Sequence, residues 1–307
     1  MISLPLPRPF HVTRTLLFLK NSSLRTPYHF MDARRVRRLV HLDGRPAVVE
    51  FGFPAAVGAR LRVAVARAAA DGRRRRDEDP AMTAALRRLA ATVWGLGDDL
   101  QRCYRIFKSD PVMAPLLGHC RGLRMIRTPD PYEALLIAVV NQQVSVASAE
   151  SIRRRMNAAL GDRIVSDGIT YITYPSPRRL LATRPTALRA LGLSRQKARY
   201  VREIAARAAA GALDPALFDA LDDEAVIARL MEIPGVGRWT AEIVLMRGLG
   251  RADVFPAGDL GLAVAVQRVL GRKDRPTEDE MRALAEHWKG WRSYGALYLW
   301  RSLGITA

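Results

Sequence analysis

Cysteine occurs only twice among the 307 residues, at positions 103 and 120. Two thiols cannot ligate a four-cysteine iron–sulfur cluster or a zinc ribbon, so metal–thiolate chemistry is excluded, and buried free thiols are expected rather than a disulfide. Histidine is almost as sparse. The five residues (11, 29, 41, 119 and 287) show neither HExxH nor HxE…PCxxC spacing, which removes zinc hydrolysis and base deamination. Lysine numbers five (20, 108, 197, 273 and 289) against 44 arginines, a bias that a GC-rich genome also produces. No apolar run reaches the roughly 18 residues a membrane span requires, and the early run at 16–19 is too short for a signal segment. A cytoplasmic protein with no membrane partner is expected.

What the chain does carry is length for a sizeable core, 49% hydrophobic residues, and a net charge of +19 with an isoelectric point near 11.0. Such a balance favours a polyanionic partner, because each Lys or Arg set on a phosphate releases condensed counterions. The pattern is mainly α with an N-terminal α+β lobe. Two β-rich runs, 36–42 and 47–53, flank Asp43-Gly44, a strong hairpin signal. The arginines at 73–76 run into an acidic stretch and predict an exposed loop, or alternatively a phosphate contact, before a helix over 81–96. From about residue 131 onward the pattern is helical almost throughout. Pro131 opens a helix apolar on every face over 134–140, and the next spans 145–160 with Gly161 closing it. Ser194 caps another helix closed by Gly211, and Thr277 with Glu280 forms a capping box. Two domains follow: a lobe over 1–112 and a helical region over 113–307 whose two subdomains flank a cleft.

The chemistry concentrates in residues 230–261, LMEIPGVGRWTAEIVLMRGLGRADVFPAGDLG. A helix ending near Met231 meets Pro234-Gly235-Val236-Gly237, and a second begins near Arg238: a helix-hairpin-helix. Its glycines allow a tight turn, so amides of Gly235, Val236, Gly237 and the following residues, Arg238 and Thr240 included, can meet a DNA phosphate without reading sequence. Asp259, 20 residues past Trp239, precedes an apolar helix over 260–270. It can be an N-cap, or an anion aimed at the sugar of an extruded nucleotide; the two roles are compatible.

These residues resemble the helix-hairpin-helix plus Gly/Pro-rich-Asp motif of base-excision DNA glycosylases, and are most similar to the bacterial 3-methyladenine DNA glycosylase II group. DPYEALLIAVVNQQVSVASA (130–149), the segment 174–205 and WRSYGALYLW (291–300) extend the likeness over residues 113–307, while 1–112 is covered weakly. The resemblance implies excision of alkylated bases from damaged double-stranded DNA by a monomer associated with the nucleoid. It implies Asp259 as the carboxylate that stabilises an oxocarbenium-like sugar or activates water. Trp239 and Trp300 match aromatic base-pocket positions, and Ile243 and Leu260 stand where well-known members have tyrosines. Trp239 also occupies the site of the Schiff-base lysine of strand-cutting relatives, so no lyase activity is expected. Gln143 falls at the wedge position that fills the stack behind a flipped nucleotide; alternatively, Gln142 and Gln143 cap a break between helices. No cofactor is required, though backbone carbonyls of Met231, Ile233 and Val236 match a structural Na+ or K+ site.

Two rivals carry less. A non-catalytic helix-hairpin-helix anchor has no use for a carboxylate near phosphates, which it would repel. A glycosylase for oxidised or mismatched bases would normally show the lysine or a cysteine cluster.

Overall fold

The computed structural model describes residues 1–42, 44–56, 60–68 and 79–304. Asp43 and the arginines at 73–76 lie outside them. Strand β1 (Ile2–Pro5), helix α1 (Val12–Lys20) and strands β2 (His29–Phe30), β3 (Arg35–Leu42), β4 (Arg45–Gly52) and β5 (Arg60–Ala68) form an antiparallel sheet lobe in the order β1-β5-β4-β3-β2. The expected hairpin is present: Leu42 pairs with Arg45, and Gly44 takes φ +74°, open to glycine without strain. Period-2 alternation splits the strands. Val36, Val40, Val49 and Phe51 enter the main core, while Leu39 and Val48 face the other way, against Ile164 and Tyr171 of a second hairpin, β6 (Arg163–Ser166) and β7 (Ile169–Ile172).

Helix α2 (Pro80–Val93) is capped by Asp79, whose side chain accepts from the Ala81 amide, and has proline as its first residue. Helices α3 (Leu100–Phe107) and α4 (Ala114–Cys120) lead to α5 (Pro131–Asn141), in which residues 133–140 are all buried. Its one buried acid, Glu133, receives Nη2 of buried Arg38 from β3 at 2.6 Å, a tie between sheet lobe and helical region. One continuous hydrophobic core runs from Leu4 to Trp300 through both regions. Both cysteines are buried free thiols, as expected.

The remaining helices follow the capping signals. Ser145 caps α6 (Val146–Leu160), with Gly161 at its far end. After α7 (Pro177–Ala182) and α8 (Pro185–Ala190), Ser194 caps α9 (Arg195–Ala209). Helices α10 (Asp223–Met231) and α11 (Arg238–Arg247) bracket the hairpin, followed by α12 (Leu260–Val269), α13 (Glu278–Ala285) with the Thr277–Glu280 capping box, and α14 (Arg292–Ser302). Helix α5 packs on α6, α9 and α11, and α12 packs on α14. The cleft opens where these two groups meet.

Candidate active site

Asp259 is the N-cap of α12: its Oδ1 accepts from the Leu262 amide at 2.9 Å. The same oxygen accepts from Trp300 Nε1 of α14 at 3.1 Å, and Oδ2 accepts from Trp239 Nε1 of α11 at 3.0 Å. Three helices therefore hold one carboxylate. A carboxylate offers about four lone-pair sites; Oδ1 spends two and Oδ2 one, so Oδ2 keeps the spare acceptor. The approach is equally constrained. Phe255 and Ala257 are buried, the Asp259 amide donates to the Pro256 carbonyl at 2.9 Å, and a side chain at position 261 would come within 3.0 Å of Oδ1.

The carboxylate lines a cavity of about 230 Å³, room for a single nucleobase. Trp239, Ile243 and Trp300 line it too, as the resemblance implies. Leu260 does not. It is 63% exposed at the start of α12, and Gly261 takes its place on the wall. The physical reason is angular: with Asp259 fixed as the cap, each helical residue turns about 100° from the last, which swings position 260 outward and 261 inward. Asn141 of α5, Arg247 at the end of α11, and Ser23 and Leu24 of the sheet lobe also line the cavity, and sequence reasoning had missed all four. Arg247 carried a faint signal, a lone charge in the apolar stretch IVLMRGLG; Ser23 and Leu24 carried none.

The hairpin is tight where it must be. Gly235 sits at φ +87°, and a Cβ there would lie 2.3 Å from the Tyr200 ring; at Gly237 a Cβ would meet nothing within 4 Å. Helix α11 has no side-chain cap at Gly237, which leaves its first-turn amides for an outside acceptor. One of the expected DNA contacts needs correction: the Val236 amide is spent on the Ile233 carbonyl at 3.0 Å. Thr240 is 2% exposed and its Oγ1 accepts from Gln142 Nε2 at 3.0 Å, so its hydroxyl faces inward and only its amide is left for a phosphate. The Arg238 guanidinium meets Glu224 in two contacts, at 2.5 and 3.0 Å, so an anion would have to compete for it.

The two adjacent glutamines divide their roles. Gln142 also donates to the Gly235 carbonyl at 2.8 Å, and its own carbonyl accepts from Lys197 Nζ at 2.6 Å. It ties the α5–α6 break to the hairpin and is the helix-break residue. Gln143 stands exposed with φ +53°, a left-handed backbone that a non-glycine residue adopts at a cost of about 1 kcal/mol or more. Exposed Val144 and Val146 flank it.

The chain matches the HhH-GPD superfamily base excision DNA repair protein family over residues 136–290. It is 34% identical over 208 residues to a DNA-3-methyladenine glycosylase of Bacillus subtilis, covering 68% of this chain and 69% of that one. Its fold is similar to that of a 3-methyladenine DNA glycosylase from Archaeoglobus fulgidus, with a TM-score of 0.83 and 25% identity over 99% of this chain and 98% of the other. A 3-methyladenine DNA glycosylase of Schizosaccharomyces pombe, solved in complex with abasic DNA, superposes with a TM-score of 0.57 and 27% identity over 66% of this chain and 97% of its own. With the hairpin, the Gly/Pro-rich loop and its aspartate in place, the chain belongs to the HhH-GPD superfamily of base excision DNA repair proteins.

Proposed function

We propose that the protein is a monofunctional DNA glycosylase of base excision repair that everts alkylated purine nucleotides from duplex DNA and hydrolyses their N-glycosidic bond. The observation that carries this reading is the Asp259 carboxylate, fixed by two indole N–H groups at the wall of a cavity the size of one base. As the bond to the base stretches, positive charge builds on the sugar. Oδ2, with its spare lone pair, is the oxygen that stabilises that charge or takes a proton from the attacking water. An N-alkylated purine leaves readily, so no general acid is needed. Trp239 at the lysine position cannot form a Schiff base, which supports hydrolysis without strand cleavage.

DNA docks on the hairpin amides, and Gln143 fills the gap left in the stack, its strained backbone held by the Gln142 and Lys197 contacts behind it. A monovalent cation, Na+ or K+, would be held by the carbonyls of Met231, Ile233 and Val236. The Ile233 oxygen already accepts the Val236 amide and would contribute its second lone pair. We place the protein with the nucleoid, acting as a monomer. No helix among the described residues is long and apolar enough to cross a membrane.

The test is base release from methylated duplex DNA by the wild type and Asp259→Asn, with borohydride trapping alongside. Release by the wild type, loss of about 100-fold or more in the variant, and no trapped complex are expected. Equal release by both proteins would remove Asp259 from its role, and a trapped complex would overturn the hydrolytic assignment.

A further inference from the structure

Helix α5 presents one stripe to the cavity that holds Asp259: Ala134, Ile137, Ala138 and Asn141, spaced three and four apart, so their side chains share a face. Asn141 is the polar member of that stripe. Its Oδ1 accepts from Nη1 of Arg153, a fully buried residue of α6. A guanidinium only donates, so the end of the amide that meets it has to be the oxygen, and the NH2 end is turned away from it. That Nδ2 has no hydrogen-bond partner among the described residues. Asn141 is only half-buried, and its Nδ2 stays open to solvent, unlike the partnerless Nε and Nη2 of Arg153, which are sealed in.

Turning the amide through 180° would set an NH2 group against a buried cation and strip that cation of an acceptor, a costly arrangement. Asn141 is therefore a donor of fixed polarity on the cavity wall. Several of its polar neighbours are committed elsewhere or undirected. Both indole N–H groups are spent on Asp259, the Thr128 hydroxyl donates to the Asp130 and Arg247 carbonyls, and a serine hydroxyl such as that of Ser23 can rotate to donate or accept.

We propose that Asn141 selects among alkylated purines: its Nδ2 donates to an acceptor of the everted base and disfavours a base that turns a methyl or amino group to it. This rests on the glycosylase reading and narrows its substrate class. 7-Methylguanine and 3-methyladenine are both cations, so comparing them cancels net charge. Their edges are opposite. The first has a carbonyl at position six, a bare N3 and a methylated N7; the second has an amino group at position six, a methylated N3 and a bare N7. Whichever of these edges meets Asn141, one base offers an acceptor and the other does not.

The test uses duplex DNA methylated to carry both lesions. Initial rates of release of the two bases in one incubation give a ratio that reports relative kcat/KM and cancels the fraction of active protein. Asn141→Leu keeps the bulk and removes the donor, while Asn141→Asp keeps the shape and the Arg153 contact and turns an acceptor to the base. The ratio is expected to move in one direction from wild type through Asn141→Leu to Asn141→Asp, by about tenfold or more in total, because a lost donor and then a facing acceptor both disfavour the same base. An unchanged ratio, or a leucine variant lying outside the other two, would overturn the assignment. Loss of all release in both variants would overturn it as well, since a residue that only selects is not needed to cleave both bases. Wild type that releases neither base would instead sink the glycosylase reading, and this inference with it.

Discussion

Trp239 donates its indole N–H to Oδ2 of Asp259 at 3.0 Å, so an aromatic residue whose ring lines the base cavity also orients the carboxylate beside it. On the proposed function, ring and N–H would act on different parts of the same reaction. Trp239→Phe separates them, because it keeps a ring and deletes the donor. Base release should fall about tenfold, the equivalent of about 1.4 kcal/mol, while affinity for lesion DNA changes less. A variant that loses affinity and rate together would show that the ring, not the hydrogen bond, carries the effect.

Gly261 offers a cleaner probe of the carboxylate. A methyl group there would lie 3.0 Å from Asp259 Oδ1 and 3.7 Å from Trp300 Nε1. Alanine also raises helix propensity by about 0.5–1 kcal/mol over glycine. Gly261→Ala should therefore leave the melting temperature level or higher and cut base release by about tenfold or more. Full activity would mean that the carboxylate tolerates displacement.

The two hairpin glycines should respond in opposite ways. At Gly235, with φ +87° and the Tyr200 ring 2.3 Å from a would-be Cβ, alanine should destabilise the fold by roughly 1–3 kcal/mol, read as a lower melting temperature. At Gly237 nothing stands in the way, so alanine should leave stability intact and weaken binding to damaged and undamaged duplexes alike, since phosphate contacts read no sequence. Unchanged DNA affinity in Gly237→Ala would remove the hairpin from the interface.

Acid should loosen the contact between the sheet lobe and the β6–β7 hairpin. His29 is half-buried with its ring 4.7 Å from that of Tyr171, and burial lowers its pKa below the ordinary 6.5. The folded state thus binds this proton less readily than the unfolded chain. The stability it contributes is complete above pH 6.5 and is lost as pH falls through and below that value. Melting temperatures should decline with acidification in that window, and more shallowly in His29→Phe, which keeps an aromatic ring. Equal slopes would assign the decline to other groups.

Much of this architecture was legible because it is written in near-neighbour physics. The caps at Ser194, Thr277 and Asp259 each bond an amide three residues on, so the sequence pattern and the structure report the same event. Gly44 and Gly235 mark turns for an equally local reason. Asp259, Trp239 and Trp300 were identifiable as candidates by the spacing of a known motif, although nothing in the spacing said that both indoles would turn their N–H groups onto one carboxylate.

The sequence by itself settled most helices, the β3–β4 turn and the helix-hairpin-helix, since each depends on residues a few positions apart, and the motif resemblance supplied the carboxylate candidate; the β6–β7 hairpin, inside a region read as helical, was missed. Only the tertiary structure decided that Leu260 faces out while Gly261 faces in, that Gln142 braces the hairpin while Gln143 stands free, and that Ser23 and Leu24 line the same cavity as Arg247. Those outcomes depend on how helices distant along the chain rotate and pack against one another, and a side chain's partners across such a gap leave no periodic trace in its own segment.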